Sequence, residues 1–147
     1  MALGPGLRLL EIGAGSGWPA LYLAKTSGCD VALIDLPIGG LRIAAQRAIA
    51  DHLTGACWVA VANGASLPFG AFTFDAISHS DVLCCLPRKR AVLADCRRVI
   101  RPNGRMVFSV ISITPKLAPA AYASAVANGP DFVEAEADYR TLLRETG

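Results

Sequence analysis

The sequence predicts an α/β fold: a doubly wound, Rossmann-like, mostly parallel sheet with helices on both faces. Three observations carry that prediction. Short apolar runs alternate with helical stretches from Leu7 to Ile113. Three glycines, Gly13, Gly15 and Gly17, follow the first run within five positions. Residues suited to a binding site recur at the ends of successive runs, where such sheets hold their ligands.

Each element has its own signal. Leu7 to Gly13, LRLLEIG, is an apolar run with one acid, as a buried parallel strand requires. A helix follows through GWPALYLAKTSG, with Pro19 tolerated in its first turn and Gly28 at its end. Asp30 to Pro37 reads as a second buried strand stopped by proline. GLRIAAQRAIADHL is helical, with Leu41, Ala44, Ala45, Ala48 and Ile49 on one face. Cys57 to Asn63 is a third strand, and NGASLPFGAF a loop by its glycine and proline content. FDAISHSDVL opens a fourth strand. RKRAVLADCRRVI is an amphipathic helix with Val92, Leu93, Cys96, Val99 and Ile100 inward. Arg101 to Gly104 is a turn, and RMVFSVISI a fifth strand. Beyond Pro115 two helices flank a break at Asn128-Gly129-Pro130.

The composition sets bounds. The 147 residues suit a single domain, 1–147, and 53% apolar against 18% charged residues suits a packed core. A net charge of +2 does not point to nucleic acid, and the arginine-rich set Arg88, Lys89, Arg90, Arg97, Arg98, Arg101 and Arg105, without interleaved aromatics, reads as a solvated rim. Cys29, Cys57, Cys84, Cys85 and Cys96 are odd in number and contain no CxxC, which argues against a disulfide framework or a metal site and for reduced thiols in a cytoplasmic protein. No run approaches the roughly 20 apolar residues of a membrane span.

The glycine loop departs from the dinucleotide fingerprint. In G-x-G-x-x-G the last glycine would fall at Trp18, where an indole obstructs close helix–strand packing under a diphosphate. Glu11, two residues ahead of Gly13, suits a ligand with a positive amino group better. A plain strand-to-helix turn is the alternative for the loop, and a plain strand-ending carboxylate the alternative for Asp35. The strand ends collect Glu11 to Gly17, Asp35 to Pro37, Asn63 to Ala65 and His79 to Asp81 into one crevice.

LLEIGAGSG resembles the first motif of class I S-adenosylmethionine-dependent methyltransferases. VALIDLP, ANGASLPF, FDAISHSDVLCCLP and CRRVIRPNGRMVF resemble further segments of that family, in order, across residues 7 to 113. The look is that of the small-molecule branch that includes quinone-precursor methyltransferases. The resemblance implies S-adenosylmethionine as cofactor and a small-molecule methyl acceptor. It implies a cofactor-binding set of Glu11, Gly13, Ala14, Gly15, Gly17, Asp35, Leu36, Asn63, Gly64, Ala65 and Ser80. In it Gly13 and Gly15 let backbone pass the methionine part, Glu11 attracts the ammonium, and Asp35 accepts from the ribose diol. Asn63 stands in the family's usual Asp position; its amide oxygen can accept from the adenine amino group. Gly64 and Ala65 present backbone N–H groups, and Ser80 lies near the methionyl chain.

His79 and Asp81 are the candidate catalytic pair. On a strand they would point to one side, opposite Ser78 and Ser80, and His79 titrates where it could take a proton from an acceptor. A strand-end histidine held only by hydrogen bonds and an aspartate capping the next helix are the alternatives. Cys84-Cys85 replace two histidines common in the family, so their role does not carry over. Family members usually have helices before the first strand and two strands beyond the fifth. The expectation is therefore a sheet lacking those two strands, an open site, and a fifth-strand edge open to self-association. Two other readings compete: a catalytically idle cofactor-binding module or partner subunit, and an NAD-binding dehydrogenase domain, which Trp18 disfavours.

Overall fold

The computed structural model describes residues 3–147; Met1 and Ala2, the first two residues of the expected domain, lie outside the described residues. Five parallel strands form one sheet: β1 (Arg8–Ile12), β2 (Asp30–Asp35), β3 (Cys57–Val61), β4 (Phe74–Ser80) and β5 (Ile100–Ser109). Their order is β3-β2-β1-β4-β5. Leu9, Leu10 and Ile12 of β1 and Val31 to Ile34 of β2 are buried, because both faces of these central strands are covered.

Two helices lie on one face. Ala20, Leu21 and Ala24 of α1 (Trp18–Ser27) and Leu41 and Ala44 of α2 (Ile38–Ala50) pack on Leu9, Val31 and Leu33. On the other face, Val92, Leu93, Cys96 and Val99 of α3 (Lys89–Val99) and Leu142 of α5 (Tyr139–Thr146) pack on Leu10, Ile12, Ile34 and Ile77. The order reverses between β1 and β4, so the switch-point crevice opens above Ile12 and Ser80. A 3-10 turn, Leu83–Cys85, and a helix α4 (Pro119–Ala127) complete the chain.

Three local expectations are corrected. Arg101 to Gly104 is not a separate turn but a bulge inside β5: the register jumps from Phe74 opposite Ile100 to Ala76 opposite Arg105, with Asn103 at φ 67°. β5 therefore starts earlier and ends at Ser109, short of Ile113. β2 ends at Asp35, short of Pro37, which instead caps helix α2 from Ile38, and Ile49 of that helix is 77% exposed instead of facing the core. Lys89 does not belong to a solvated rim. It is 2% exposed, and its Nζ donates to the carbonyls of Leu86 (3.0 Å) and Phe132 (2.7 Å).

Candidate functional site

The glycine loop joins β1 to α1 and is fastened to β2. The Ala14 N–H donates to the Ile34 carbonyl at 3.0 Å, and the Gly15 N–H donates to Asp35 Oδ2 at 2.8 Å. Asp35 Oδ1 accepts from the Leu36 N–H at 2.8 Å. Each carboxylate oxygen thus holds one amide and keeps lone-pair capacity for a second donor. The Asp35 carboxylate thus holds the loop and keeps free acceptor capacity on each oxygen.

The loop glycines divide by what surrounds them. A Cβ on Gly13 (φ 67°) would run into the Val82 side chain, so this glycine admits Val82 from the segment after β4. A Cβ on Gly17 would meet Leu21, Ala44 and Leu33, so that glycine serves the packing of α1 and α2 on β2. At Gly15 (φ 50°) nothing lies within 4 Å of a Cβ position, so the loop there faces open space. The Gly15 backbone is backed from behind by Gly40 of α2, where a Cβ would come within 2.8 Å of the Gly15 carbonyl carbon. Sequence reasoning missed Gly40 and Val82; the Gly39-Gly40 pair near the start of a helix was the available signal for the first.

Glu11 lies beneath this loop and is 2% exposed. Ser78 Oγ donates to its Oε2 at 3.2 Å across the β1–β4 pair. Burial pushes its pKa up to about 7, against the pull of Ser78 and of the Ala20 backbone in the first turn of α1.

Beyond β3, Asn63 Oδ1 accepts from the Ala65 N–H at 2.9 Å and the Asn63 carbonyl from the Ser66 N–H at 3.0 Å. The side chain closes an Asx turn, so the Ala65 N–H expected to be presented outward is engaged by Asn63. Gly64 is buried over Ile12.

His79 and Asp81 do not share one side of a strand, because β4 ends at Ser80 and Asp81 turns to φ 55°. Asp81 is exposed at the switch point; its N–H donates to the Ser109 carbonyl at 3.0 Å, and its Oδ1 accepts from Ser109 Oγ at 3.2 Å. A non-glycine residue in this region is a strained backbone, held by its surroundings. His79 is 1% exposed and stacks on Phe108, its register partner on β5, at 4.7 Å between centroids. Burial holds its pKa down at about 4, with Asp81 opposing. Ser80, at the tip of β4, is exposed. The thiols of Cys84 and Cys85 both donate to the Asp81 carbonyl, at 3.0 and 3.4 Å; Cys84 is buried and Cys85 exposed.

The arrangement gathers Gly15, Asp35, Leu36 and Asp81 around the crevice, with Glu11 below it and His79 turned to the α3/α5 face. A buried carboxylate, an acidic strand end and an open glycine suit a ligand with an amino group and a diol.

The methyltransferase domain family matches residues 10–108. A probable phthiotriol/phenolphthiotriol dimycocerosates methyltransferase 2 of Mycobacterium ulcerans is 33% identical over 107 residues, 72% of this chain and 40% of that protein. A ubiquinone/menaquinone biosynthesis C-methyltransferase of Rhizobium johnstonii is 32% identical over 105 residues, 70% of this chain and 41% of its own. Among solved structures, phosphoethanolamine N-methyltransferase 2 of Haemonchus contortus, in complex with S-adenosyl-L-methionine, superposes with a TM-score of 0.85 at 19% identity, over 99% of this chain and 34% of that one. The [4+2]-cyclase SpnF superposes with a TM-score of 0.84 at 24% identity, over 99% and 52%. The chain spans about two fifths of the length of the curated relatives it matches.

Proposed function

The chain belongs to the methyltransferase domain family, and from that premise we propose that residues 1–147 form one S-adenosylmethionine-binding domain, core 7–113, serving methyl transfer to a small molecule. The observation that carries the cofactor reading is the loop at Gly15: open on the crevice side, backed by Gly40, and tied to the Asp35 carboxylate. In this reading the ribose diol lies on Asp35, and the Gly15 backbone passes the methionine part. Gly13, Ala14 and Gly17 set the shape of the loop. Glu11 lies beneath the amino-acid end, where a bound ammonium draws its carboxyl toward the charged form against the effect of burial. Leu36, Asn63, Gly64 and Ala65 border the adenine, and Ser80 the methionyl chain.

Bound S-adenosylmethionine supplies a methyl group on a sulfonium. The chain's own part is to fix geometry. Holding an acceptor atom in line about 3–3.5 Å from the methyl lowers the barrier by on the order of 7–11 kcal/mol. Asp81, strained and exposed at the switch point, is the candidate base in this reading. His79, the other candidate, is buried against Phe108 with its pKa held down at about 4, which makes it the poorer base at neutral pH.

An apolar acceptor is supported by the relatives, whose names refer to phthiotriol dimycocerosates and to ubiquinone and menaquinone. A nucleic-acid acceptor finds less support, because several arginines are already engaged. Arg98 binds Asp95 and the Leu67 and Phe69 carbonyls; Arg101 binds Asp75; Arg47 binds the Ser16 carbonyl and stacks over Trp18. The free thiols suit a reducing, cytoplasmic setting. Among the described residues no helix is long and apolar enough to cross a membrane. The outer edge of β5, beside a 56% exposed Val107, is the surface for self-association.

Asn63 in the family's usual Asp position, and Cys84-Cys85 in place of two histidines, favour a second reading in which the cofactor is bound without methyl transfer. Isothermal titration with S-adenosylhomocysteine and NAD, followed by a methyl-transfer screen on apolar acceptors, tests both. Binding of the first ligand alone, with transfer, supports the proposal. Binding without transfer to any acceptor supports the second reading, and binding of NAD alone sinks both.

A further inference from the structure

Helix α2 carries two glycines in succession, Gly39 and Gly40, in its first turn. Glycine weakens a helix relative to alanine, because it gives up the most backbone freedom on folding. Neither of the two has a positive φ, so the backbone conformation requires glycine at neither place. Space separates them. Around a Cβ on Gly39 nothing lies within 4 Å. A Cβ on Gly40 would stand 2.8 Å from the carbonyl carbon of Gly15, 2.9 Å from its oxygen and 3.1 Å from its Cα. Gly40 is thus the glycine that a contact demands, and the contact is with loop backbone, which has no rotamer to swing aside.

The contact continues down one stripe of α2. Ala44 and Arg47 follow Gly40 at helical spacing. A Cβ on Gly17 would stand 3.0 Å from Ala44 Cβ. Arg47 Nη1 donates to the Ser16 carbonyl at 3.2 Å, and the guanidinium lies over the Trp18 ring at 4.6 Å from its centroid. Gly15, Ser16, Gly17 and Trp18 are therefore each met by that stripe. The loop also has an anchor, the Gly15 N–H on Asp35 Oδ2 at 2.8 Å, and a free front, since nothing lies within 4 Å of a Cβ on Gly15.

We propose that this stripe of α2 is the mould that sets how far the glycine loop reaches into the crevice, with Gly40 and Arg47 as positioning residues for the cofactor. The proposal rests on the S-adenosylmethionine-binding reading above. Carbon atoms in contact rest about 3.5–4.0 Å apart, so an alanine methyl at position 40 displaces Gly15 by about 0.7 Å or more. The free front is the direction in which the loop yields. The displacement disturbs the Gly15–Asp35 hydrogen bond and carries the Gly15 backbone toward the space where the methionine part passes. Its effect falls on affinity more than on stability. The three atoms nearest the new methyl all belong to Gly15, and alanine favours the helix.

The test compares Gly40→Ala with Gly39→Ala in the full chain. It reads S-adenosylhomocysteine affinity by calorimetry, thermal unfolding, and the Gly15 amide resonance without ligand. Gly40→Ala should bind about tenfold more weakly and shift the Gly15 resonance, with the melting temperature held. Gly39→Ala should match the wild type in affinity and in that resonance. Arg47→Ala should weaken binding about threefold, and Arg47→Lys, which keeps a donor for the Ser16 carbonyl, should recover it. Should Gly40→Ala fail to fold, the two Arg47 variants decide. Equal behaviour of the two alanine variants, an unmoved Gly15 resonance in Gly40→Ala, or equal affinities across wild type and the Arg47 variants would overturn the proposal. If the Gly15 resonance responds as stated while the wild type does not bind S-adenosylhomocysteine, the mould stands and the cofactor reading falls instead.

Discussion

The Gly15 amide donates to Asp35 Oδ2 at 2.8 Å, so the loop after β1 and the tip of β2 are one unit. Asp35→Ala removes both the loop's anchor and the proposed partner of the ribose diol. Isothermal titration should show S-adenosylhomocysteine binding at least about tenfold weaker, the loss expected for charge-assisted hydrogen bonds. Unchanged affinity would take Asp35 out of the site.

Gly13 and Gly15 should respond differently to alanine. Gly13→Ala drives a methyl into Val82 and should lower stability by about 2–4 kcal/mol, read from denaturant unfolding. Adding Val82→Ala should recover part of that loss. Gly15→Ala meets no atom within 4 Å, so beyond the cost of its positive φ its effect should fall on cofactor affinity. Equal stability losses, with no rescue of the Gly13 variant, would contradict this division.

Glu11 and His79 should oppose each other in the pH dependence of stability. Unfolded Glu11 titrates at 4.5 and folded Glu11 at about 7, so the native state keeps a proton that the unfolded chain releases. Its contribution is full below pH 4.5 and is lost as pH rises to 7. His79 runs the other way. It titrates at 6.5 unfolded and at about 4 folded, so its contribution is full above pH 6.5 and is lost as pH falls toward 4. Each is on the order of 3 kcal/mol at most, and the two nearly cancel between pH 4.5 and 6.5. Melting curves should show Glu11→Gln gaining stability from pH 4.5 to 6.5 and His79→Phe losing it over the same interval. Parallel slopes in the two variants would refute the pairing.

Lys89 Nζ should hold the segment around Phe132 in place. Lys89→Met leaves two carbonyls without their donor and should cost about 1–3 kcal/mol. Hydrogen exchange at Phe132 and Val133 should speed up more than at Leu9 or Ile77. Uniform acceleration across the chain would show a general loss of stability rather than a local release.

The alternation of apolar runs and helices made the sheet and the helical faces legible, because strands buried on both sides leave few sequence choices. Residues that owe their role to a distant neighbour were not legible. Lys89 sits in a run of arginines, and only the approach of Phe132 makes it a buried clamp. Gly13 reads like Gly15 in the sequence, yet Val82 closes over one and not the other. The turn at Arg101 to Gly104 has turn residues, but β4 continues alongside and converts it to a bulge. Asp35 was visible as a strand-ending acid, whereas its hold on the Gly15 amide needed the register of β1 against β2.

The most direct test is a crystal structure of the chain soaked with S-adenosylhomocysteine. The account predicts density along the switch point, with the ribose on Asp35, the amino-acid end against Gly15 and the sulfur facing Asp81. A ligand bound elsewhere, or a crevice that stays empty at saturating concentration, would contradict it.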